Sequence, residues 1–221
     1  MPTNIAIDGP AGAGKSTIAK RVAKELSFIY VDTGAMYRAM ALHLLKNEVP
    51  MEDADAIAKS CQDASISIRY ENGEQQVILN GENVTALLRA EEVGNMASVS
   101  SANPSVRKKL VSLQQELAVS CDVVMDGRDI GTVVLPDANV KIYLTASSRT
   151  RAMRRYQELQ QKGESCDLDA IEEDIKERDY RDMHREISPL RQAEDAVLVD
   201  SSEMTIQEVC DAIISVYEEK K

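Results

Sequence analysis

Gly9-Pro10-Ala11-Gly12-Ala13-Gly14-Lys15-Ser16-Thr17, near the start of a 221-residue chain, meets G-x-x-x-x-G-K-[ST] at every fixed position. Glycines let consecutive backbone N–H groups turn into one concavity, which suits anionic oxygens. The context is the one this motif demands. The apolar run Ile5-Ala6-Ile7 ends at Asp8-Gly9 just before the loop, and Ile18, Val22 and Leu26 recur at a helical spacing after it. The helix expected over Lys15–Leu26 presents its positive end to the same phosphates. Lys15 then reaches the β- and γ-phosphates of a nucleoside triphosphate, and the Ser16 hydroxyl is placed to ligate Mg²⁺. Strand, phosphate loop and helix open an α/β fold with a parallel sheet.

Outward from this stretch the rhythm continues. Phe28-Ile29-Tyr30-Val31 reads as a second strand ending at Asp32, and Thr33 is placed to N-cap a helix to about Lys46. The middle breaks the pattern. Ser65 to Tyr70 alternates, Glu71-Asn72-Gly73-Glu74 supplies a turn, Gln75 to Leu79 returns, and Asn80-Gly81 turns again before Glu82-Asn83-Val84. This predicts a small antiparallel insert. Asn103-Pro104 starts a helix running to about Val119. Asp122–Asp126 and Val140–Leu144 read as further buried strands, and Ala196–Val199 as a last strand. Two polar helices, Ser148 to Gln161 and Leu168 to Arg185, lie between the last two, and the capping box Thr205–Glu208 opens a final helix. Five strands alternating with helices predict a doubly wound sheet carrying one β insert and one helical hairpin.

Composition narrows the function classes. The chain is 43% hydrophobic, ordinary for a globular protein. Its net charge of −11 argues against a general binder of nucleic acid or anionic membrane. No apolar run reaches the roughly 20 residues of a spanning helix. Met1-Pro2-Thr3-Asn4 leads into structure without a basic flank or cleavable apolar segment, so a cytoplasmic protein is expected. Cys61, Cys121, Cys166 and Cys210 form no CxxC pair and read as reduced packing thiols. His43 and His184 have no motif around them and are expected at the surface.

Arginine is distributed unevenly. Eight of the 14 arginines fall between Arg149 and Arg191, and Arg178, Asp182 and Arg185 share the spacing of one helix face. Such a face is either a solvated, salt-bridged surface or a grip on phosphates. The excess of guanidinium in an acidic protein favours the second. Asp126-Gly127-Arg128-Asp129 ends a predicted strand, where open α/β sheets bind ligands, although such a run also makes a plain turn. Arg38, after Asp32-Thr33-Gly34-Ala35-Met36-Tyr37, is open to the same two readings. The segments typical of signalling GTPases, DxxG and NKxD, are missing, and the chain is short for a motor ATPase. A small-molecule kinase fits best.

Taken in order, Gly9–Thr17, Asp32–Arg38, Asp126-Gly127-Arg128-Asp129-Ile130-Gly131-Thr132-Val133-Val134 and Lys176–Arg185 resemble the bacterial cytidylate kinases over essentially the whole chain. The resemblance implies the P-loop nucleoside monophosphate kinase fold: a five-stranded parallel sheet flanked by helices in one domain over 1–221, a monophosphate-binding β-rich insert over 62–100, and a lid with Arg-rich helices over 150–185. It implies ATP-dependent phosphorylation of CMP and dCMP with Mg²⁺, by a monomer that binds neither nucleic acid nor membrane. It implies that Gly9, Pro10, Ala11, Gly12, Ala13, Gly14, Lys15, Ser16 and Thr17 hold ATP. Thr33, Arg38, Arg128 and Arg185 would then hold the acceptor phosphate, and Ser98, Arg107 and Asp129 would read cytosine. Arg178 and Asp182 would contact the sugar, and Arg154 would close on the ATP phosphates. Lys15, Arg128, Arg154 and Arg185 are thus the expected catalytic groups, and Ser16 the metal ligand. A monophosphate kinase of other base choice (UMP/CMP) is the nearest alternative. An NTP-dependent regulatory or RNA-binding protein is the remote one.

Overall fold

Strand β1 (Asn4–Asp8) carries Ile5, Ala6 and Ile7 at 0% exposure, as a strand covered on both faces requires. In this computed structural model, which describes residues 2–71 and 73–221, β1 is the middle of a five-stranded sheet of order β2-β6-β1-β7-β8. The other strands are β2 (Ile29–Asp32), β6 (Val123–Gly127), β7 (Val140–Thr145) and β8 (Val197–Asp200). The pairings β1–β6, β1–β7 and β7–β8 are parallel, with Ile5 facing Val124 and Val140 across the two inner ladders. The doubly wound parallel sheet expected from the alternation is present.

The chain divides into two compact units, Met1–Tyr30 with Cys121–Lys221, and Val31–Ser120. In the first, α1 (Lys15–Leu26) and α8 (Ile206–Lys220) cover the sheet, burying Ile18, Val22 and Ile213 against Ile7, Val124 and Leu144. The predicted capping box is formed: Thr205 Oγ1 meets the Glu208 N–H, and the Glu208 carboxylate returns to the Thr205 N–H at 2.8 Å. The helical hairpin is α6 (Ser148–Gln161) and α7 (Leu168–His184).

The second unit holds α2 (Thr33–Lys46), α3 (Ala54–Asp63), the antiparallel sheet β3 (Ile66–Glu71), β4 (Glu74–Leu79) and β5 (Glu82–Asn83), then α4 (Glu91–Ser100) and α5 (Pro104–Ser120). Asn72, in the expected turn between β3 and β4, lies outside the described residues. The insert pairs as the alternation predicts, Ile66 with Leu79 and Ile68 with Val77.

Two expectations are corrected here. Asp32, not Thr33, caps α2, because its carboxylate accepts the Ala35 N–H at 2.9 Å while Thr33 is already helical. His43 is 6% exposed rather than at the surface, since the Ser60 carbonyl gives its Nε2 a partner at 3.0 Å. Helices α3 and α4 were not anticipated. Asn103 and Pro104 open α5 as expected, with Asn103 Oδ1 accepting the Ser105 N–H at 3.0 Å.

Candidate active site

The phosphate loop joins the end of β1 to α1. At Gly9 the backbone passes so near β7 that a Cβ would lie 1.9 Å from the Leu144 carbonyl oxygen, and φ is +151°. Only glycine fits there. Gly14, at φ +85°, ends the loop, and α1 begins at Lys15 with no side-chain cap. Its first N–H groups therefore remain as donors for an anion.

Lys15 is buried, at 6% exposure, and its Nζ donates to the Pro10 carbonyl at 2.7 Å. The side chain is therefore part of the interior rather than solvent-facing. Burial, and then the Arg128 guanidinium, push the ammonium down to about 7, while Asp126, Asp8 and Asp182 pull the other way. Those four neighbours belong to the end of β1, the end of β6 and the Arg-rich helix. Three segments singled out separately in the sequence therefore act on one lysine through their charges.

Asp8 is 4% exposed and accepts the Ile130 and Gly131 N–H groups, each at 2.7 Å. Its carboxyl is nevertheless pushed up to about 6, mainly by burial, with the Asp129 carboxylate adding to it and the two N–H bonds opposing. These shifts act on folding in opposite senses. The folded state holds the Asp8 proton more tightly than the unfolded chain, so this group's contribution to stability falls as pH rises from about 4 to about 6. The unfolded chain holds the Lys15 proton more tightly, so that contribution rises between about 7 and about 10.5.

Ser16 Oγ donates to Asp126 Oδ2 at 2.9 Å, and the Tyr30 hydroxyl donates to Asp126 Oδ1 at 2.8 Å. A hydroxyl and a carboxylate side by side at the head of α1 are hard oxygen donors. They fit Mg²⁺, which takes one or two protein oxygens and completes its shell with water and substrate phosphate. Among the described residues, no three His, Cys, Asp or Glu side chains group into a metal cage.

The arginines sort by partner. Arg128 Nε donates to Asp182 Oδ2 at 2.9 Å, joining the end of β6 to α7. Arg185 is the C-cap of α7 rather than part of its face, so the i+7 spacing runs one residue past the helix. Its Nη2 lies 3.9 Å from Asp129 Oδ1, and its Nε donates to the Ser188 carbonyl at 2.6 Å. Asp129 is 4% exposed. Arg154, expected over the ATP phosphates, donates to the Ser201 carbonyl at 2.7 Å, beyond the end of β8. Sequence reasoning passed over Arg151, which is 5% exposed and donates to the Ala11 carbonyl of the phosphate loop at 2.9 Å.

Within the second unit, Thr33 is buried at the head of α2 and Arg38 is half-buried one turn on. Arg107, 5% exposed on α5, lies 5.7 Å from the Tyr37 ring centroid and donates to the Ser101 carbonyl at 3.4 Å. Ser98 is half-buried on α4, and its carbonyl accepts the Ser101 hydroxyl at 2.9 Å. Arg107 and the end of α4 are thus brought together, with Tyr37 as a platform that the sequence did not flag.

The family model described as cytidylate kinase matches residues 5–219. The chain belongs to the cytidylate kinase family. A cytidylate kinase of Ligilactobacillus salivarius (strain UCC118) is 51% identical over 216 residues, covering 98% of this chain and 96% of that one. One from Listeria welshimeri serovar 6b is 52% identical over 217 residues, again with 98% and 96% covered. Solved structures at much lower identity share the fold. They include an uncharacterized protein from Eubacterium ventriosum ATCC 27560 (TM-score 0.53, 14% identity, 100% of both chains). A gluconokinase from Sinorhizobium meliloti 1021 is another (TM-score 0.50, 12% identity, 99% of this chain and 94% of that). Among the described residues, no helix is long and apolar enough to cross a membrane.

Proposed function

We propose that the protein transfers the γ-phosphoryl group of ATP to CMP and dCMP, giving CDP and dCDP. The observation that carries this reading is Lys15, buried beside Arg128 and among Asp8, Asp126 and Asp182. Membership of the cytidylate kinase family supports it. In this reading the Gly9–Thr17 backbone and Lys15 hold ATP, and Ser16 with Asp126 holds Mg²⁺. Thr33, Arg38, Arg128 and Arg185 take the acceptor phosphate, Ser98, Arg107 and Asp129 take cytosine, and Arg178 and Asp182 take the sugar. Arg154 serves the ATP phosphates by leaving the Ser201 carbonyl.

The chemistry asks little of proton transfer. The acceptor phosphate has a second pKa near 6 and is already an anion at neutral pH, so no general base is needed. Ser16 with Asp126 would hold Mg²⁺, which would supply positive charge against the phosphates. Lys15 and the arginines orient the two nucleotides in line and stabilise charge that spreads over the transferring group. Label tracing tests the reaction class. Phosphate from γ-labelled ATP should appear in CDP when CMP is supplied. RNA-stimulated release of inorganic phosphate, with no labelled CDP, would favour the regulatory alternative.

The depressed Lys15 makes a pH prediction. Burial and Arg128 push this amine down to about 7, so it gives up its proton more readily than a free lysine. A triphosphate against it raises its proton affinity, so ATP binding at pH 8 is accompanied by proton uptake. Calorimetric titrations at pH 8 in two buffers of different ionisation enthalpy should give different heats, and the difference should vanish in Lys15→Met. Equal heats in the two buffers would contradict the assignment.

Residues 150–185 are proposed as a lid that excludes water from the transfer. Amide exchange across them should slow when a bisubstrate analogue binds. Exchange unchanged from the protein alone would count against closure.

A further inference from the structure

The side of α7 that meets its neighbours begins apolar, with Leu168, Ile171 and Ile175, and becomes acidic at Asp179 and Asp182. Among the described residues none on α7 is fully buried. Its second half is anchored by charge. Asp182 is held by Arg128, and Asp179 is held bidentately by Arg151, Oδ1 by Nη1 at 3.1 Å and Oδ2 by Nη2 at 2.5 Å. The Arg151 guanidinium is otherwise engaged: Nε donates to the Ala146 carbonyl and Nη1 to the Ala11 carbonyl, both at 2.9 Å. Four of its five N–H groups therefore have partners inside the protein. The guanidinium ties together the phosphate loop, the end of β7 and α7.

We propose that Arg151 and Asp179 are a positioning pair for the phosphate donor, fixing the Ala11 carbonyl and with it the curvature of the loop that takes ATP. This rests on the reading of Gly9–Thr17 as the ATP site. Burying an ion pair is a poor way to gain stability alone, because an apolar pair of similar volume usually does as well or better. What the guanidinium adds is direction and number: a flat fork with fixed donors holds two carbonyls and both oxygens of a carboxylate at once, four acceptors against the three donors of an ammonium. Asp182 has its own anchor in Arg128, so loss of the Asp179 contact leaves the acceptor-facing part of α7 held.

The test is steady-state kinetics of wild type, Arg151→Lys, Asp179→Asn and the double variant, each nucleotide being varied at saturating levels of the other. Asp179→Asn is nearly isosteric at a position whose side chain is 14% exposed, and it is expected to fold. Each single variant should raise the KM for ATP about tenfold or more and leave that for CMP within about twofold. The double variant should be no worse than the poorer single one, as expected of residues acting as a unit. Three results would overturn the proposal: a lower melting temperature with an unchanged KM for ATP, an equal rise in the KM for CMP, or losses that multiply in the double variant. If wild type itself failed to phosphorylate CMP, the functional reading would fall. Calorimetric ATP affinities of the same four proteins would still decide the role of the pair, a tenfold weakening supporting it and unchanged affinities refuting it.

Discussion

Lys15→Met should lower kcat by about 10²–10³-fold or more while the protein stays folded, because it removes charge stabilisation that matters most as the phosphoryl group transfers. The fold should tolerate the change. Lys15 sits at 6% exposure with its ammonium pushed down to about 7 by burial, so charging it in place works against folding near neutral pH. Methionine has a similar length and no charge to bury, and the donor lost by the Pro10 carbonyl is a single contact. A melting temperature close to wild type with turnover reduced by orders of magnitude is the expected pair of results. Near wild-type turnover in the folded variant would remove Lys15 from the mechanism.

The second large effect concerns the base. Cytosine presents an exocyclic amine donor where uracil presents a carbonyl acceptor, and a carboxylate can accept only from the first. Asp129 is buried at the end of β6, with Arg185 as a charge partner at 3.9 Å and Asp8 as a like-charged neighbour. A buried carboxylate facing the uracil carbonyl would be left poorly paired, and sites of this kind reject the wrong analogue by up to about 10⁴–10⁵-fold. Asp129→Ala should therefore reduce kcat/KM for CMP far more than for UMP, and the CMP/UMP ratio should shrink. A ratio that holds while both rates fall would place Asp129 with the phosphates or Mg²⁺ instead.

Much of this site was visible along the chain because its signals are local. The phosphate loop needs a glycine at each forced turn and a lysine at one offset, and Gly9 against the Leu144 carbonyl shows why no other residue would serve. Central strands show themselves as short apolar runs, and the insert shows itself by alternation with Asn-Gly turns. Signals that depend on folding were not visible. Arg151 and Asp179 are 28 residues apart, and neither differs in its neighbours from a surface arginine or aspartate. Ser16 and Asp126 are 110 residues apart, so their hydrogen bond exists only once β1 and β6 are paired. His43 is buried against α3, where the Ser60 carbonyl, 17 residues along the chain, meets its ring. That helix is amphipathic and capped by Asp53, so its signal was in the sequence although sequence reasoning passed over it. The choice of Asp32 over Thr33 as cap turned on one residue of register, the least certain feature of any helix start.

This chain moves phosphate from ATP to cytidine monophosphates. The most direct measurement is ADP release from ATP and Mg²⁺ against a panel of CMP, dCMP, UMP, dTMP, AMP and GMP at equal concentration. Release should be rapid with CMP and dCMP, and slower by orders of magnitude with the other four. Equal rates with UMP, or a preference for a purine or for dTMP, would contradict it.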